Sequence, residues 1–113
     1  MGRWLIVALL AVTPARAEPD FHSANNLVPF CAVPFPSTTW DSDHAFMLGY
    51  CWGTVFTLTA LTPTFGVCLP KTGTEEQIMR VVVKYISDRP ARMHEPFVRL
   101  AIEALQAAWP CKQ

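Results

Sequence analysis

Four cysteines, three histidines and two close pairs of acids are the residues of this sequence whose types invite chemistry. Cys31, Cys51, Cys68 and Cys111 are too widely spaced for a C-x-x-C motif, which argues against a redox dithiol and against a zinc knuckle. His94-Glu95 resembles the start of a helical zinc-protease motif, but that motif needs a second imidazole four residues on, and position 98 is Val98. His22 and His44 are distant in sequence, so no metal site is expected. Glu75 and Glu76 are adjacent, and adjacent helical side chains diverge; both suit a first helical turn better than paired acid–base work. Asp41 and Asp43 read as cap residues in the same way. The sequence contains neither a glycine-rich phosphate loop nor a G-x-S-x-G elbow, and cysteines tied in disulfides cannot act as nucleophiles. No catalytic residues and no cofactor are therefore assigned, and the chain reads as a binding protein and not an enzyme.

The elements that carry these residues are helical. Ser23 is placed to cap a short helix running to about Cys31, with Pro29 inside it as a kink or an early end. Pro34, Pro36 and Ser37-Thr38-Thr39 make an extended loop, and Trp40 precedes the next helix as a hydrophobic staple. Asp41 or Ser42 caps a second helix, about Asp43 to Leu61, whose apolar face is Met47, Tyr50, Cys51, Thr54, Val55 and Leu58. Gly49 and Gly53 stand four apart on it, and close approach by another helix is the expected reason for them. Thr74 with Gln77 starts a third helix with a buried stripe of Ile78, Val81, Val82 and Tyr85, while Arg80, Lys84 and Asp88 face water. Arg89-Pro90 stops it. Pro96 is expected at the first position of a fourth helix, with Phe97, Leu100, Ala101, Ala104, Leu105 and Ala108 facing the core and Trp109 closing it. The fold class expected is all-α, a small disulfide-stapled bundle of about four helices.

Arg3, the apolar run Trp4 to Val12 and Ala15-Arg16-Ala17 have the three regions of a signal peptide over residues 1–17, with cleavage expected after Ala17. A rival span, the stretch without charge from Ala45 to Pro70, is interrupted by threonines and by Pro63, and a soluble core is favoured. Loss of Arg3 and Arg16 leaves seven basic residues against nine acids, a net charge of −2 over residues 18–113. With no basic tract, nucleic acid is not an expected partner, nor is a membrane once the leader is gone. Four cysteines in a short exported domain imply two disulfides. The block from Cys68 to Cys111 is a helical hairpin with a cysteine at each end. Among the three connectivities, Cys51–Cys68 with Cys31–Cys111 is favoured, the second stapling the first helix to the last.

Loops remain as candidate binding surface. Pro70-Lys71-Thr72-Gly73 and Asp88-Arg89-Pro90-Ala91-Arg92 join regular elements, where scaffolds display contact residues. Lys71, Thr72, Arg89 and Arg92 are the candidate partner-binding residues, the arginines suiting acids on a partner.

The run Gly49-Tyr50-x-x-Gly53, then Cys68-x-Pro70, Thr74-x-x-Gln77, Val82-Val83-x-Tyr85, Pro90, His94 and Trp109-Pro110-Cys111 resembles the Rap/Tai immunity proteins, and Asn26-Leu27 with Cys31 fits their start. The resemblance runs from about Ala24 to Cys111. It implies a periplasmic, all-helical, disulfide-bonded protein, often a homodimer, that binds a peptidoglycan amidase effector delivered by type VI secretion. In that family a loop blocks the effector's active site by occlusion. Two departures stand out. Met47 occupies a usual cysteine position, with Cys51 one helical turn later, and Phe56 stands where an acid is common. An exported helical stress or chaperone-like protein is the alternative expectation.

Overall fold

The computed structural model describes residues 13, 22–31 and 41–112. The leader and its cleavage site, the Pro34–Thr39 loop and the Trp40 staple lie outside the described residues, residue 13 apart. Four α-helices follow in order: α1 (Ala24–Leu27), α2 (Ser42–Ala60), α3 (Glu75–Ser87) and α4 (Phe97–Ala108). They surround one core, and no strand longer than an isolated bridge occurs among the described residues. The all-α, disulfide-stapled bundle is the observed architecture.

α1 is shorter than its sequence suggests. It ends at Leu27, and a 3-10 turn over Val28–Phe30 carries the chain to Cys31. Pro29 lacks the amide that would continue the α-helical ladder, which explains the tighter turn. Ser23 takes the N-cap position without a side-chain cap bond. The backbone amides of Ala24 and Asn25 instead donate to Glu95 O and Met93 O, at 3.0 and 2.8 Å. The start of α1 is thus capped by a distant turn, and Phe97 N donates back to His22 O at 2.7 Å.

α2 begins where Asp41 accepts a hydrogen bond from His44 N at 2.8 Å. It buries Met47, Leu48, Cys51, Val55 and Leu58. Among the described residues Gly49 and Gly53 do not meet another helix: a Cβ at either position would find nothing within 4 Å. The expected close approach is therefore absent among the described residues, although each glycine costs about 1 kcal/mol of helix propensity relative to alanine. After α2 a 3-10 turn over Thr62–Phe65 leads to Gly66 at φ 73°, a left-handed position that suits only glycine without strain. Among the described residues no helix is long and apolar enough to cross a membrane.

α3 starts at the Thr74 cap, whose hydroxyl accepts from Gln77 N at 3.1 Å. Its buried residues are Ile78, Met79, Val82 and Ile86, with Val81 and Tyr85 only half-buried. The stripe is rotated from the expected one because Tyr85 has polar work: its ring lies under Arg89 and its hydroxyl faces Glu103. Pro96 caps α4 and is not its first residue, since it holds ψ at 130° while pairing in a bridge with Ser23. Phe97, Leu100, Ala101, Ala104 and Leu105 are buried as expected, Ala108 is exposed at the outer end, and Trp109 packs against the core half-buried.

The disulfides differ from the favoured pairing. They are Cys31–Cys51 and Cys68–Cys111, with Cα–Cα distances of 5.7 and 4.8 Å. The first ties the end of the α1 segment to the middle of α2, both cysteines being fully buried. The second closes the α3–α4 hairpin at its own two ends. Local backbone pairing sets that second choice: Cys68 N donates to Trp109 O at 2.8 Å and Cys111 N to Gly66 O at 2.9 Å. Those bonds leave Cys68 beside Cys111. In the chain-entropy description the bridges, closing separations of 20 and 43 residues, contribute about 3 and about 4 kcal/mol.

Candidate functional site

The turn between α3 and α4 brings Arg89, Arg92 and Glu95 together with Tyr85 and Glu103 of the flanking helices. Asp88 ends α3, and a 3-10 turn over Pro90–Arg92 reverses the chain towards Pro96. The fixed φ of Pro90 suits it to open such a turn. Arg89 folds back on the last turn of α3. Its Nη1 donates to Tyr85 O at 2.9 Å, and its guanidinium carbon stands 3.6 Å from the centre of the Tyr85 ring. That stack fixes the planar group at the surface and leaves part of its edge to solvent.

Arg92 points the other way, onto α4. Its Nη1 and Nη2 donate to Glu103 at 2.7 and 3.0 Å, while Nε and Nη2 bond both oxygens of Glu95. The guanidinium thus bridges two carboxylates in forked geometry. Tyr85 Oη makes a longer bond to Glu103 Oε2 at 3.4 Å, and Arg99 Nε lies 4.0 Å from Glu103 Oε1. Hydrogen bonds from Arg92 hold both Glu95 and Glu103 below the usual carboxylate range, and the same bonds push Arg92 further above its already high value. Glu95 belongs both to the cluster and to the segment whose carbonyls cap α1, so the cluster braces the junction of α1, α3 and α4.

The four candidate contact residues do not form one patch. Arg89 and Arg92 share the α3–α4 turn, whereas Lys71 and Thr72 occupy an exposed turn before α3, where Gly73 N donates to Pro70 O at 3.0 Å. The length of α3 separates the two turns by about 20 Å. Arg89 is exposed; Arg92 is half-buried and engaged with its own chain. The histidines are likewise scattered. His22 Nδ1 lies 2.8 Å from Tyr50 Oη, His44 meets the edge of Phe30 and His94 is exposed beyond the turn. Among the described residues no group of three or more His, Cys, Asp or Glu is placed to hold a metal ion.

The sequence reading missed the partners of Arg92. Glu95 follows it by three residues, a spacing that could have been noticed, but Glu103 is reached only through the fold. Beyond the glycine pair it also assigned no contact role to the outward side of α2, where Phe46 is 62% exposed and Phe56 55%. The signal was present in the charge-free run from Ala45 onward, read there only as a rival membrane span.

A model of the Rap1a immunity proteins matches residues 23–111, from the first residue of the α1 cap to the last cysteine. The chain belongs to this family. No curated protein and no solved structure matches it significantly. A Rap1a immunity protein acts on a secreted effector by binding it, and such proteins are generally non-catalytic and often exported. The match takes in all four helices, both disulfides and the α3–α4 turn, so the family assignment applies to the whole described bundle.

Proposed function

We propose that this Rap1a immunity protein is exported to the periplasm, binds a peptidoglycan amidase delivered by type VI secretion, and silences it by occlusion. The observation that carries the reading is the family match across residues 23–111. The physical features agree with a rigid inhibitor. Two disulfides and the Arg92 cluster pre-organise the bundle, so few contact residues need ordering when a partner docks. In this reading the protein works as a homodimer. Arg89, held over Tyr85, contacts the effector; Arg92 keeps that turn in place; Lys71 and Thr72 form the second contact region. Signal cleavage after Ala17 would release the domain.

The test is direct. Purified amidase effectors are titrated with the protein while peptidoglycan-peptide cleavage is followed. Stoichiometric loss of activity with one amidase, and none with unrelated hydrolases, is the expected result. Full activity of every candidate amidase at saturating protein would remove the amidase reading. The exposed apolar side of α2 favours one second reading, a chaperone-like exported protein. That reading predicts suppression of aggregation for unrelated unfolded clients in the same assay series.

A further inference from the structure

We propose that the outward face of α2 is a dimer interface, and that its occupant is a second copy of this chain packed antiparallel about a two-fold axis level with Cys51. The proposal rests on the homodimer of the reading above and names the surface that makes it.

Three observations converge on this face. First, it is apolar where the other helix surfaces are finished with charge. The exposed side of α3 carries Arg80 paired with Glu76 at 2.7 Å and Lys84 paired with Asp88 at 2.9 Å. From Ala45 to Ala60, α2 has no charged residue, yet it exposes Phe46 and Phe56 more than halfway. Thr54 and Thr57 donate their hydroxyls to Tyr50 O and Gly53 O, both at 2.8 Å, so their donors are already satisfied within the helix. A groove of about 460 Å³ between Gly49, Gly53, Thr54 and Val98 of α4 continues the surface.

Second, the glycines have no reason among the described residues. Among the described residues nothing lies within 4 Å of a Cβ built at Gly49 or Gly53, so neither is required by the packing of the four helices. A helix-weakening residue repeated one turn apart on an outward face is explained by a backbone that approaches from outside.

Third, the pattern reads the same in both directions. Phe46 and Phe56 stand five residues either side of position 51, and Gly49 and Gly53 two. At about 100° per residue, all four are placed symmetrically about one line on the outward side. An isologous pair must be self-complementary, each patch meeting its own copy. An antiparallel crossing here puts the glycines at the point of closest approach. Phe46 of one copy then lies beside Thr57 of the second, and Phe56 beside Ala45, bulky against small. Neither an effector nor an unfolded client requires a mirror pattern of this kind, so the symmetry selects a second copy as occupant. α2 is about 28 Å long, and its outward half offers roughly 500–600 Å² per copy. With the Val98 edge of α4 added, the pair reaches the lower bound of about 1,200 Å² for a specific interface.

Sedimentation or light scattering on the purified protein and on Gly53→Leu and Phe46→Glu tests the proposal. Leucine at an exposed helical position favours the helix, so a monomeric Gly53→Leu that keeps its far-UV helical signal is not a folding failure. The expected result is a wild-type dimer at concentrations on the order of 10 µM, with a dissociation constant raised about tenfold or more in both variants. A wild type that is monomeric at ten times that concentration overturns the homodimer reading and this surface with it. A dimeric wild type whose dissociation constant is unchanged in Gly53→Leu overturns this surface alone.

Discussion

Arg92 in the α3–α4 turn grips Glu103 of α4 across eleven residues of sequence, with two bonds of 2.7 and 3.0 Å from the same guanidinium that holds Glu95. One side chain thereby fixes the turn to the last helix and, through the carbonyls of Met93 and Glu95, supports the start of α1. Replacing Arg92 with alanine leaves two half-buried carboxylates facing each other, with the long Tyr85 bond and Arg99 at 4.0 Å as the remaining partners of Glu103. The expected outcome is a fall in Tm of about 5 °C, read by thermal denaturation. Arg92→Lys should recover less than half of that loss, because an ammonium cannot present the planar fork that serves both carboxylates. Equal melting of Arg92→Lys and wild type would show that charge alone accounts for the cluster.

The same cluster sets a pH dependence with a definite sign. Hydrogen bonds from Arg92 lower the folded-state pKa of Glu95 and Glu103 from their ordinary value of 4.5. Groups depressed in the folded state stabilise it fully above the unfolded value, and that contribution disappears as pH falls through the lowered folded values. Tm should therefore hold from neutral pH down to about pH 5 and decline below it. In Glu103→Gln one of the two titrating carboxylates is gone, so its decline in the acid window should be shallower from a lower starting Tm. Parallel profiles for the two proteins would show that the acid sensitivity arises elsewhere.

Signals that act within a few residues were legible in the sequence, and those that depend on chain return were not. Thr74 starts α3 and Asp41 starts α2 because a hydroxyl or carboxylate meets an amide three residues on, a purely local event. The buried set of α4 was readable for a similar reason, its spacing being unbroken from Phe97 to Leu105. The disulfides resisted. Cys68 chooses Cys111 because Val67 and Pro110 pair across the bundle, a contact without a sequence signature. Ser23 looked like an ordinary cap, but α1 takes its acceptors from residues 93 and 95, which only the fold brings near. The spacing of Gly49 and Gly53 suggests a packing pair, yet the described residues supply no neighbour for them. Of the contact candidates, the sequence placed Arg89 and Arg92 in one turn but could not separate the exposed one from the engaged one.

The two disulfides should differ in accessibility. Cys31 and Cys51 are fully buried, whereas Cys68 is exposed and Cys111 half-buried. Thiol–disulfide exchange needs a path for the attacking thiolate, so mild reductant should open Cys68–Cys111 first. Timed alkylation followed by peptide mapping reads the order directly. The singly reduced species should keep most of its helix, since Cys68 N and Cys111 N still pair with Trp109 O and Gly66 O. Removing the bridge by Cys68→Ser with Cys111→Ser should cost about 4 kcal/mol of unfolding free energy in the chain-entropy description. Labelling of Cys31 and Cys51 at the same rate would contradict the burial on which the expectation rests.

Arg89 and Arg92 are adjacent in the turn and should nevertheless fail in different ways when replaced. Arg89 is exposed, and its contacts within the chain are a ring face and one carbonyl of its own helix, so Arg89→Ala should leave Tm within about 1 °C of wild type. If this turn meets the effector, the same variant should weaken binding about tenfold, roughly 1.4 kcal/mol, which is modest for an arginine at the centre of an interface. Arg92→Ala should instead lower Tm, and weaken binding only as far as the turn loses its shape. Lys71→Ala with Thr72→Ala, about 20 Å away along α3, supplies the contrast. Calorimetric titration of an inhibited amidase with the three proteins separates the cases. A tenfold loss confined to the Lys71 and Thr72 variant would move the contact region to the other end of α3. Equal affinity for all three would remove both turns from the interface and leave the helix faces as its only described alternative.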